Sequence, residues 1–241
     1  MRVLITRPED DARALAKTLG ARGVDSMIAS VISIQNKKDA AEQVADLAGV
    51  QALVFTSANG VRAFAQAADR RDINVIAVGQ VTAKAAWDEG FRDIETADGD
   101  VTALAQLVWR EHKPEKGALL HVAGSHVAGD LKGLLEQAGF IYRRAVLYEA
   151  VVARSLSADA AAAFLGGDID GVLFYSPRTA DLFAQLAKAG GIAGGLGSAV
   201  AYCLSAAVAE AAKKVAWKDV RVAARADEAS LLALLEEDAV A

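Results

Sequence analysis

This sequence predicts an α/β protein with two doubly wound, mostly parallel sheets, and three observations predict it. Apolar, β-rich runs alternate with segments of helical periodicity almost throughout, the pattern of parallel strands covered by helices on both faces. Residues 52–66, ALVFTSANGVRAFAQ, are weakly copied at 171–185, GVLFYSPRTADLFAQ; each is an apolar run ending in Phe, then one residue, a Ser and a helical pattern. The length, 241 residues, exceeds a typical single core and fits two domains of about 100 to 120 residues.

Strands are expected over 2–6, 25–35, 51–56, 74–78, 117–122, 140–151, 170–175, 198–204 and 220–223, with amphipathic helices between most of them. The first, Val3-Leu4-Ile5, leads to Thr6-Arg7-Pro8; Glu9-Asp10-Asp11 then complement a helix dipole. The second run is long, and its stretch 27–35 can leave one domain and enter another. Leu53-Val54-Phe55 ends in Thr56-Ser57-Ala58-Asn59. Residues 75–86, VIAVGQVTAKAA, give a strand, a turn at Gly79 open to close approach by a ligand, and Thr82 as a hydroxyl contact or cap. Leu119-Leu120-His121-Val122 runs into Ala123-Gly124-Ser125. The next strand, within 140–152, is long enough to cross back between domains. Leu173-Phe174-Tyr175 meets Ser176-Pro177-Arg178. Residues 190–198 are glycine-rich but follow a helix, so they form a loop; a dinucleotide fingerprint would stand between a strand and the helix it feeds. The pattern permits nested domains or a simple division near residue 150.

Four of these strand ends, at Thr6-Arg7, Ser57, Ser125 and Ser176, share a design. Each is expected to open a helix whose first N–H groups lack internal partners, a seat for a carboxylate or phosphate at the edge where open α/β sheets bind ligands. Ordinary capping explains any one of them, since Ser and Thr are favoured N-caps and Pro suits the first helical position. Together they favour a ligand with several anionic groups. His112, His121 and His126 lack the spacing of a helical metal site and read as structural or exposed; no GxSxG elbow or Walker loop is present. Tyr148, in AVLYEA, is core or edge packing unless its strand crosses between domains, where its phenol can donate a proton.

Composition narrows the classes. With 26 basic against 31 acidic residues, no global field favours nucleic acid, and an anionic ligand must be held by local donors. The single Cys203 excludes an internal disulfide framework or a multi-cysteine metal site, and reads as a buried apolar residue in a reducing compartment. The start, MRVLITRPEDD, lacks a signal peptide's apolar region, and no stretch approaches the roughly 18 apolar residues of a spanning helix. A soluble, cytoplasmic monomer is the expectation.

Taken together, Thr6-Arg7-Pro8, Phe55-Thr56-Ser57-Ala58-Asn59, Ala77-Val78-Gly79 with Thr82-Ala83, the segment 139–148 and Phe174-Tyr175-Ser176-Pro177 resemble the uroporphyrinogen-III synthase family of tetrapyrrole biosynthesis over nearly the whole chain. The resemblance implies a discontinuous first domain, 1–33 and 152–241, a second inserted at 36–144, and linker strands at 34–35 and 145–151. It implies a lyase that closes hydroxymethylbilane, a linear tetrapyrrole with eight carboxylates, to uroporphyrinogen III in a cleft between domains, with no cofactor or metal. Loss of the first ring's hydroxyl as water gives an azafulvene; the last ring attacks through its substituted carbon, and the spiro intermediate fragments and recloses with that ring inverted. Tyr148 is the candidate for assisting the hydroxyl's departure. Thr6, Arg7, Ser57, Ala58, Asn59, Thr82, Gly124, Ser125, Ser176, Pro177, Arg178 and Ser205 are the candidate binding residues. One departure stands out: where relatives repeat the Gly turn and Thr in their last third, this chain has Ser205 and Val208. The alternative is a two-lobed binding protein or sensor for a small anionic ligand, without catalysis; a receiver-type domain would need acidic residues where Thr6-Arg7 and Ser57-Asn59 stand.

Overall fold

The computed structural model describes residues 1–97 and 99–240, without the side chains of 239 and 240. The chain opens with β1 (Arg2–Ile5), α1 (Glu9–Ala21), β2 (Asp25–Ile28) and β3 (Ile32–Asn36). It continues through α2 (Ala40–Gln43), β4 (Val50–Phe55), α3 (Ala58–Ala67), β5 (Asn74–Ala77), α4 (Gln80–Asp88), β6 (Ile94–Thr96) and α5 (Val101–Glu111). Next come β7 (Ala118–Gly124), α6 (Leu131–Gln137), β8 (Tyr142–Val152), α7 (Ala158–Gly166), β9 (Gly171–Phe174) and α8 (Pro177–Ala189). The chain ends with β10 (Val200–Cys203), α9 (Ala206–Ala212), β11 (Asp219–Val222) and α10 (Glu228–Val240).

These elements form two compact units, Met1–Ser33 with Val151–Ala241, and Ile34–Ala150. The first carries a five-stranded sheet in the order β11-β10-β9-β1-β2, and every one of its pairings is parallel. The second carries a six-stranded sheet, β3-β8-β7-β4-β5-β6, parallel from β8 through β6. Strands β7, β9 and β10 are buried along their whole length, as near-continuous apolar runs covered by helices on both faces must be.

The internal copy falls on β4–α3 and β9–α8. From these starting points the two sheets run in the same plan: β9, β10 and β11 step outward on one side as β4, β5 and β6 do, and β1 and β2 flank β9 as β7 and β8 flank β4. One sheet is a circular permutation of the other. The copied aromatics build matching clusters: the rings of Phe55, Phe64 and Phe91 have centroids 6.0–6.2 Å apart, and those of Phe174, Phe183 and Trp217 are 5.4–5.8 Å apart.

Three sequence expectations need correction. The single strand over 25–35 is two strands, because the chain breaks after β2 to bond the end of β1, with Ala29 N–H donating to Ile5 O at 2.9 Å and Val31 N–H to Thr6 O at 3.3 Å. Strand β6 escaped prediction, as its three residues Ile-Glu-Thr carry no apolar run and pair only on the edge beside β5. The glycine-rich segment contains a 3-10 helix at Ala193–Ser198.

Candidate active site

In a doubly wound sheet, ligands bind beyond the carboxyl ends of the strands where the strand order reverses, because the outgoing connections diverge there and leave a crevice. In the five-stranded sheet that point lies between β1 and β9. Thr6, fully buried, donates from Oγ1 to Leu173 O at 2.9 Å and ties the two strand ends together. Arg7 follows. Its guanidinium donates to Asp11 Oδ2 at 3.1 Å and Glu228 Oε2 at 3.2 Å, and lies 4.3 Å over the Tyr175 ring. The Tyr175 hydroxyl donates to the same Glu228 Oε2 at 3.1 Å. Burial, and then the Glu228 carboxylate, push this phenol's pKa well above the usual tyrosine range.

Beside them Ser176 caps α8, its Oγ accepting from Thr179 N at 3.1 Å and sharing a 2.7 Å hydrogen bond with Thr179 Oγ1. Pro177 and Arg178, in the first turn, are exposed, and Arg178 has no hydrogen bond or ion pair among the described residues. At the end of β10, Ser205 caps α9 by accepting from Val208 N at 3.4 Å. The three hydroxyls at Thr6, Ser176 and Ser205 are thus already used within the protein. By contrast α1 begins at Pro8 with no side-chain cap. Its first turn carries Glu9, Asp10 and Asp11, whose negative charge complements the helix dipole there.

In the six-stranded sheet the reversal lies between β4 and β7. Ser57 caps α3 through Asn59 N at 3.1 Å, Ala58 opens the helix, and Asn59 Oδ1 accepts from Arg62 Nη2 at 2.7 Å. Helix α4 starts at Gly79 without a side-chain cap, and Thr82 is buried in its first turn. Tyr148, on β8, packs with Phe55, Val61 and Val122 and is 9% exposed. Gly124 makes its position possible: a Cβ there would stand 2.8 Å from Tyr148 Cε2, so only a glycine lets the ring lie against the end of β7. The Tyr148 hydroxyl has no hydrogen-bond partner among the described residues.

The Gly124-Ser125 turn differs from its expected form. It opens no helix; α6 begins at Leu131 and is capped by Asp130, whose Oδ1 accepts from Gly133 N at 2.9 Å. Ser125 N–H is taken by Tyr148 O at 2.9 Å, and Arg144 Nη2 donates to Gly124 O at 2.7 Å and Ser125 O at 3.2 Å. The turn is tied to β8 rather than aimed outward as free amides.

Sequence reasoning missed several participants. Thr56 Oγ1, just before Ser57, lies 3.0 Å from His121 Nε2, and His121 Nδ1 lies 2.7 Å from Tyr142 Oη. Burial, reinforced by the nearby Arg144 cation, lowers the His121 pKa to about 4, so this buried relay holds a neutral imidazole at pH 7. Tyr175, Arg144 and Glu228 were likewise unforeseen, and the position of Glu228, 221 residues from Arg7, leaves no local signal. Among the described residues no group of three or more His, Cys, Asp or Glu side chains is arranged to hold a metal ion.

The sequence profile of the family described as uroporphyrinogen-III synthase HemD matches residues 13–233. Among solved structures, uroporphyrinogen-III synthetase from Helicobacter pylori is similar with a TM-score of 0.63 at 15% identity, covering 98% of this chain and 99% of that one. A mutant uroporphyrinogen III synthase from the extreme thermophile Thermus thermophilus is similar with a TM-score of 0.51 at 16% identity, covering 98% of each chain. At these identities the likeness is one of fold. No curated protein matches the chain in sequence. The match of the family profile over most of the length decides the assignment: the chain belongs to the uroporphyrinogen-III synthase family.

Proposed function

We propose that this protein is a uroporphyrinogen-III synthase, a lyase that closes hydroxymethylbilane to uroporphyrinogen III with loss of water and inversion of the last ring. The family match over residues 13–233 carries the reading, and the polar turns at the carboxyl edges of both sheets support it. A linear tetrapyrrole with eight carboxylates needs many weak, well-placed seats. Helix N-termini supply them without side-chain entropy loss or a large positive charge, so an anionic substrate is compatible with a protein of formal net charge −5.

Because the bilane also closes unaided to the uninverted isomer, positioning is the larger demand on the enzyme. We assign Tyr148 the role of proton donor as the hydroxyl leaves the first ring as water: the phenolic proton departs with that oxygen, and the phenolate is reprotonated by the proton that the last ring's carbon releases when the ring has reclosed and regains aromaticity. Its support is the partnerless hydroxyl on a ring fixed against Gly124. Carboxylate seats are assigned to the turns at Thr6, Arg7, Ser57, Ala58, Asn59, Thr82, Ser176, Pro177, Arg178 and Ser205, and to the Ser125 hydroxyl beside Gly124. Residues 34–35 and 145–151 are proposed as linker strands between a discontinuous domain (1–33, 152–241) and an inserted one (36–144). In support, β3 and β8 are sheet neighbours, and both unit boundaries fall within them. The enzyme is proposed to act as a cytoplasmic monomer without a cofactor, metal, membrane or nucleic acid; no helix among the described residues is long and apolar enough to cross a membrane.

The test supplies freshly made hydroxymethylbilane and separates the isomers after oxidation. Predominance of the type III isomer is expected, and an isomer ratio equal to the enzyme-free control overturns the reading.

A further inference from the structure

The Arg7 cluster has the form of a ligand site with its ligand already present. Asp11 holds one guanidinium nitrogen from within α1, and the ring of Tyr175 supports the cation from below. The other nitrogen and the Tyr175 hydroxyl converge on a single oxygen, Glu228 Oε2, at 3.2 and 3.1 Å. Two donors, one charged and one neutral, aimed at one carboxylate oxygen are what a carboxylate-binding site presents. The three charged members are not equally fixed. Arg7 and Asp11 side chains are 24% and 23% exposed, whereas that of Glu228 is 46% exposed. Nor does α10 depend on Glu228 for its start, since the preceding Asp227 accepts from Ser230 N at 2.7 Å and Leu231 N bonds Asp227 O at 3.2 Å. Glu228 can therefore swing into solvent while both donors stay in place at the strand-order reversal of their sheet.

We propose that Arg7 and Tyr175 form a carboxylate seat for substrate, and that Glu228 is an internal competitor which fills it in the free protein and is displaced on binding. The proposal rests on the synthase reading for the identity of the substrate, but not for the seat itself. Displacement exchanges one carboxylate for another, so the donors are never left unpaired, and the apparent affinity is reduced by the fraction of molecules in which Glu228 is seated. A half-exposed ion pair is worth about 1 kcal/mol or less, so removing the competitor should tighten binding by about two- to fivefold.

The experiment measures KM for hydroxymethylbilane, and by calorimetry the affinity for mellitate, a hexacarboxylate that cannot cyclise. Glu228→Gln and Glu228→Ala are expected to lower both constants about two- to fivefold, with the gain shrinking as salt rises. Arg7→Gln and Tyr175→Phe should raise both, and Arg7→Gln combined with Glu228→Gln should erase the gain. Glu236→Gln, which removes a carboxylate of α10 that pairs with Arg22 instead, is the control and should change neither. Constants that stay level or rise in both Glu228 variants, with the melting temperature preserved, overturn the proposal. A protein that forms no type III isomer yet gives this mellitate pattern keeps the seat and loses the synthase reading. One that forms the isomer with a mellitate affinity indifferent to Arg7 and Glu228 keeps the reading and loses the seat.

Discussion

The two units share a strand plan, an aromatic cluster and a serine-capped helix at the point where strand order reverses, yet they arm that point differently. In the 34–150 unit a phenol, Tyr148, lies against Gly124 with a hydroxyl that no described residue engages, and a buried neutral histidine braces the neighbouring turn. In the other unit the phenol at the corresponding edge, Tyr175, is committed to Glu228 and covered by the Arg7 guanidinium. The repeated architecture keeps the aromatic cluster and the serine cap, while the phenols at the two ligand edges are engaged differently. An uncommitted phenol suits proton donation; one bound beside an arginine suits anion recognition.

If the clusters are equivalent, they should break equally. Phe64→Ala and Phe183→Ala, both at fully buried positions, should each cost about 3–5 kcal/mol in urea unfolding; a large inequality would show that one unit relies on its aromatic cluster and the other does not. The phenols should separate in the opposite sense. Tyr148→Phe is expected to lower kcat about 100-fold or more with an unchanged circular dichroism spectrum, whereas Tyr175→Phe acts on KM. Full turnover in the purified Tyr148 variant would remove it from the mechanism.

Acid should also distinguish the units, since all three histidines lie within 34–150. The folded pKa of His121, about 4, is below its unfolded value of about 6.5, so across that window the unfolded chain binds the extra proton. The His121 contribution is therefore complete above about pH 6.5, declines as pH falls toward 4, and amounts to about 3 kcal/mol at most. Urea midpoints measured across this range should fall, and His121→Gln should flatten the dependence; an equal slope in the variant would exclude His121 as its source. The smallest effect is expected at the caps. Ser57→Ala and Ser205→Ala should each cost about 1 kcal/mol, with Ser57→Gly milder. A near-zero cost at Ser205, whose bond to Val208 N is long at 3.4 Å against 3.1 Å at Ser57, would mark the cap of α9 as the weaker of the two.

Alternation of apolar runs with helical periods determined the α/β class, and the Phe-x-Ser copies located β4–α3 and β9–α8, because periodicity and capping are written in residues adjacent along the chain. Ser57 and Ser176 were legible as caps for the same reason. The circular permutation was not legible. It depends on β1 pairing with β9, Val3 opposite Gly171, a choice made by burial of both faces and not by any neighbouring residue. Nor could the sequence foretell that Gly124-Ser125 would be fastened to β8 instead of opening a helix, or that Arg7 would meet Glu228 across 221 positions. Hydrogen-bond partners and counter-charges are assigned by whichever surfaces the packed core brings together, so tertiary structure alone decided which polar groups at the two edges are occupied and which remain free for a ligand.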